Sequence, residues 1–106
     1  MMYVDFNAGN NEYKLRLGTR QILGLERVLG CNPLAIFGNG DTIPTVTSMV
    51  AILHASLQQL HHGITMDKAY DIFDAYLADG HTAVDFVSVI LEIYKASGLI
   101  ANEAKN

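Results

Sequence analysis

The feature that most constrains this chain is a change of hydrophobic period at its eighteenth residue. Before it, apolar and polar residues alternate: Met2, Val4 and Phe6 against Tyr3, Asp5 and Asn7, then Tyr13, Leu15 and Leu17 against Lys14 and Arg16. A period of two is that of a half-buried strand, and Ala8-Gly9-Asn10-Asn11 between the two runs supplies residues that tolerate positive φ. The reading is a β-hairpin with one apolar face. Two strands alone are marginal in water, so that face must pack on helices.

From Thr19 onward the period is helical. Thr19 is read as an N-cap, Ile22, Leu25, Val28 and Leu29 as one stripe, and Gly30 as the stop. Cys31-Asn32-Pro33 breaks the chain, 34–37 suits a single turn, and Gly38-Asn39-Gly40-Asp41 is a loop. A long helix over about 45–60 carries Val46, Met49, Val50, Leu53, Leu57 and Leu60 on one face, with Ile52 and Ala55 widening the band, which predicts a central position. His61-His62-Gly63 ends it. Thr65 caps a third helix with the stripe Ala69, Ile72, Phe73, Tyr76 and Leu77, closed by Gly80. Thr82-Ala83-Val84-Asp85 has the spacing of a capping box, and Ala83, Phe86, Val87, Ile90, Ile93 and Tyr94 face inward on the last helix, which Gly98 ends. The expected fold is α+β and mainly α: a hairpin on three main helices plus a short one, in one domain over 1–100, with a polar tail over 101–106.

Composition bounds the function. Half of the 106 residues are apolar and 17% are charged, against about 25% charged in an ordinary globular domain. A chain this short hides only about two-thirds of its surface on folding, so some apolar surface is expected to serve a partner or a second copy of the chain. The net charge is −4, and the seven lysines and arginines are scattered, leaving no electrostatic footprint for nucleic acid. The longest apolar run, 49–53, is far too short for a bilayer, and no leader pattern opens the sequence. A lone Cys31 suits a reducing cytosol and is read as a partly buried structural thiol.

Chemistry finds little purchase. Among four histidines, His54 and His61 share a helix face but lie about 10 Å apart along it, too far for one ion. His61 and His62 are adjacent and diverge, and His81 stands elsewhere; polar positions at helix ends account for all four. Asp67, Asp71 and Asp74 fall on one helix face, the usual pattern of a solvated side. No phosphate loop continues from Gly38-Asn39-Gly40. No catalytic, cofactor-binding or metal-ligating residue is expected.

Tyr13-Lys14-Leu15-Arg16-Leu17-Gly18-Thr19-Arg20, Leu25-Glu26-Arg27-Val28-Leu29-Gly30 and Asn32-Pro33-Leu34 resemble the start of tail assembly chaperones from prophages of Gram-positive bacteria. Ile43-Pro44-Thr45-Val46, 53–60, His62-Gly63-Ile64 and 70–74 continue the likeness, which runs from the hairpin to Gly98-Leu99-Ile100. It rests on order and spacing and contains no chemical signature. The resemblance implies a non-enzymatic chaperone of siphophage tails that binds the helix-rich tape measure protein, keeps it soluble and helps recruit tail tube subunits. It also implies a place in the host cytoplasm and absence from the mature virion. The family often makes a second, longer product by frameshifting, and this chain resembles the short form.

For the contact surface we read the edge of the last two helices, Tyr76, Phe86, Ile90 and Tyr94; their spacing is equally that of a buried stripe, which favours core. Competing functions are a small intracellular adaptor or regulatory module, a metal protein built on the histidines, and a helix-turn-helix over 19–37 that the negative charge disfavours. A homo-oligomer fits the surplus of apolar residues.

Overall fold

The computed structural model describes residues 2–38 and 43–101. Most of the Gly38–Asp41 loop and the polar end, 102–106, therefore lie outside the described residues. The fold is α+β and mainly α. Strands β1 (Val4–Ala8) and β2 (Asn11–Leu15) pair antiparallel with Val4 opposite Leu15, Phe6 opposite Tyr13 and Ala8 opposite Asn11. Gly9 and Asn10 make the turn with φ of 58° and 69°, the double positive φ that matches the twist of a two-residue hairpin. Gly9 has a second reason to be glycine: a Cβ there would sit 3.0 Å from Ala75 Cβ. The Gly9 N–H also donates to Asp79 Oδ2 at 2.8 Å, so the turn is tied to the end of a helix seventy residues away.

Helices α1 (Thr19–Leu29), α2 (Val46–Leu57), α3 (Met66–Ala78) and α4 (Ala83–Ala96) complete the fold, with a 3-10 turn at Pro33–Phe37 after α1. Gly30 in the left-handed region stops α1, as expected. Thr65 Oγ1 accepts from the Lys68 N–H, and Thr82 and Asp85 exchange both hydrogen bonds of the capping box at 3.1 and 2.9 Å. One cap differs from expectation. Gly18, not Thr19, stands at the start of α1, and its N–H donates to Gln21 Oε1 at 2.9 Å. Asn32 caps the 3-10 turn by accepting from the Leu34 N–H.

The core is built around α2, which is buried along most of its length; Met49, Ile52, Leu53 and Leu57 are fully enclosed. Each such side chain contributes about 1.5–3 kcal/mol through burial. α1, α3, α4 and β2 all pack on this helix, while β1 lies against α3 and α4. There Phe6 meets Tyr76 at 5.0 Å between ring centroids and Phe86 edge-on at 5.9 Å, and Phe86 meets Phe73 at 5.3 Å. The apolar face of the hairpin, Phe6, Ala8 and Leu15 continued by Leu17, is buried as the alternation predicts, though Met2 is exposed.

Some stripe assignments change. Val28, Val46 and Leu77, expected to face inward, are 61%, 52% and 37% exposed. α2 ends at Leu57, three residues before the expected limit, leaving Leu60 exposed. The last turn of α2 and the chain after it receive the hairpin: the Arg16 N–H donates to the Ser56 carbonyl at 2.9 Å, and the Lys14 N–H donates to His61 Nε2 at 2.9 Å. The hairpin exit is fixed from the other side, where the Leu17 N–H donates to Ser97 Oγ beyond α4.

Candidate functional site

The exposed valines mark the site. α1, α2 and the start of α3 enclose two adjoining hollows that share Val28, Ala51 and Met66. The first, about 290 Å³, continues between Gly24 and Leu25 of α1 and Ala55 of α2, with Arg20, Gln21, His54 and Gln58 at its end. The second, about 480 Å³, continues between Val46 and Val50 of α2 and Tyr70 and Phe73 of α3, with Asp74 at its margin. Together they form one groove along the outer side of α2. From Thr47 to Gln58 its length is on the order of 16 Å, at the rise of an α-helix.

Small residues open the groove and large ones rim it. Ala51 and Ala55 form the floor, and Gly24 faces open space, with nothing within 4 Å of where a Cβ would stand. The rim is Val28, Val46 and Tyr70, each more than half exposed. A continuous apolar hollow of this kind is where a small protein keeps surface for a partner. Gln58 makes one polar wall rigid: its Nε2 donates to the carbonyls of His54 and Ile64, at 3.0 and 2.7 Å. Arg20 and Asp74 are the basic and acidic side chains of the lining, and neither enters an ion pair among the described residues.

Tyr76, Phe86, Ile90 and Tyr94 lie elsewhere, in the core. The last three are fully enclosed and Tyr76 is 5% exposed. In this conformation they present almost no surface, as the buried-stripe reading of their spacing has it. Burial, then the neighbouring Asp85 carboxylate, raises the Tyr76 phenol above its ordinary range.

The histidines are spread over the fold. His54 lines the groove, and His61 receives the hairpin N–H with its ring 5.5 Å from Tyr13. His62 is exposed, and His81 stacks on Tyr76 at 4.3 Å near Asp85. No group of three or more metal-ligating side chains converges among the described residues. Asp67, Asp71 and Asp74 are all exposed on α3. Cys31, expected to be partly buried, is an exposed free thiol just after Gly30, the left-handed residue that ends α1. No described helix is long and apolar enough to cross a membrane.

A family model described as "Family of unknown function (DUF6096)" matches residues 4–106, and the chain belongs to that family. No curated protein and no solved structure matches it.

Proposed function

We propose, for this member of a family of unknown function, a role as a non-enzymatic phage tail assembly chaperone whose α1–α2–α3 groove holds apolar helix faces of the tape measure protein. The observation that carries the reading is the groove itself: an apolar hollow along α2 rimmed by exposed Val28, Val46 and Tyr70. A helical client lays an amphipathic face into such a hollow through residues at i, i+3, i+4 and i+7. Further support is the order and spacing of the tail-chaperone-like segments, from Tyr13-Lys14-Leu15-Arg16-Leu17-Gly18 onward. By covering its client until assembly, the chaperone keeps it soluble and helps recruit tail tube subunits. It works in the host cytoplasm and is left out of the virion.

The test is co-expression with the tape measure protein encoded nearby, then size-exclusion chromatography with light scattering. A soluble complex holding several copies of this chain per client supports the reading. An insoluble client and a chain that elutes alone as a monomer would end it.

A further inference from the structure

We propose that the groove takes a dipolar helix: about three turns long, apolar along the docked face, with an acidic residue at the end lying on Arg20 and a basic residue at the end lying on Asp74. The inference rests on the chaperone reading for the source of that helix, and on the groove alone for its chemistry. Arg20 belongs to the first hollow and Asp74 to the second, so the two charges stand on opposite sides of the shared segment Val28, Ala51 and Met66. Both side chains belong to exposed residues without an ion-pair partner among the described residues, so neither charge is spent inside the fold. Between them the lining is Gly24, Val28, Val50, Ala51 and Met66, which offers no charge to meet one. A helix spanning the roughly 16 Å of groove needs about three turns. Its middle must be apolar to be enclosed there, since an unpaired charge in that position would lose its hydration without compensation. A helix with like charges at both ends meets one repulsive partner, whichever way it lies.

The probes are three synthetic amphipathic helices with one shared leucine face: glutamate at the first turn and lysine at the last, glutamate at both, or lysine at both. Binding to the full chain is read by fluorescence anisotropy, with circular dichroism confirming that every protein variant stays folded. The dipolar peptide is expected to bind at least about threefold more tightly than either like-charged one at low salt, the margin shrinking as salt screens the exposed pairs. A nitroxide on its first turn is expected to broaden the amide signals of Gln21 and Gln58, not those of Tyr70 and Phe73. Arg20→Glu, which leaves two acidic ends, should transfer the preference to the doubly basic peptide. Equal binding of all three peptides, no binding of any, or an unchanged preference in Arg20→Glu would overturn the proposal. The two claims separate cleanly. Selective peptide binding without a soluble client complex would sink the chaperone reading alone, while a soluble client complex with indifferent peptides would sink this one.

Discussion

The Tyr94 hydroxyl donates to the carbonyl of Pro33 at 2.9 Å, inside the core and across sixty-one residues of sequence. Phe37 leans edge-on toward the same ring at 6.3 Å, so the 3-10 turn after α1 is held against α4 by one phenol. Tyr94→Phe keeps the ring and removes the donor. The enclosed Pro33 carbonyl then loses the phenol as a donor, and the loss of stability is expected to be about 0.5–1.5 kcal/mol in urea unfolding. A loss below a few tenths would contradict this role.

The same bond makes stability depend on alkaline pH. Burial, with a smaller effect from Cys31, pushes the Tyr94 phenol well above its ordinary value of 10.0. The folded pKa exceeds the unfolded one, so the side chain's contribution is whole below pH 10 and is lost progressively as pH rises toward the folded value. Urea midpoints of the wild type are expected to fall between about pH 9 and about pH 11.5, and to fall less in Tyr94→Phe. The fall left in the variant would include the share of Tyr76, whose phenol is raised in the same direction.

Two glycines predict opposite signs. Gly9→Ala places a Cβ at positive φ and 3.0 Å from Ala75, and is expected to cost at least about 1–2 kcal/mol. Gly24 lies inside α1 with empty space where its Cβ would be, so Gly24→Ala is expected to stabilise the protein by about 0.5–1 kcal/mol. Thermal melts of both variants check the pair. Equal signs would mean that the turn or the groove wall is not as described.

His61→Phe isolates the hairpin's attachment. The ring against Tyr13 is retained, but the Lys14 N–H loses its acceptor, at an expected cost of about 0.5–1.5 kcal/mol. Amide exchange should quicken at Lys14 and stay unchanged at Phe6, whose N–H lies on the paired side of the ladder.

Local structure is legible in the sequence and tertiary placement is not, for reasons visible in particular residues. Alternation tells which face of the hairpin is buried, because a strand has only two faces. Thr65 and Thr82 announce their helices because a cap is a local bond between residues three apart. α2 is different: apolar on nearly every side, it carries no stripe that says which neighbour covers which face, so the spacing points Val46 inward although it stands on the groove rim. Val28 misleads for the same reason in reverse, since its spacing is that of a core position and only the gap between α1 and α3 leaves it uncovered. Tyr76, Phe86, Ile90 and Tyr94 have a spacing that suits core or contact surface alike, and burial places them in the core. The groove depends on how three helices are set apart, which no single segment records.

On the proposed function, the groove, and not the rest of the surface, holds the client. Val28 and Tyr70 are 61% and 52% exposed, so Val28→Asn with Tyr70→Ser is expected to change stability by no more than about 0.5 kcal/mol per site. The most direct measurement co-expresses the tape measure protein with the wild-type chain or with this double variant, and weighs the soluble complex by light scattering. We expect a multi-copy complex with the wild type and an insoluble client beside a folded variant. A client held equally well by both chains, or by neither, would contradict the account.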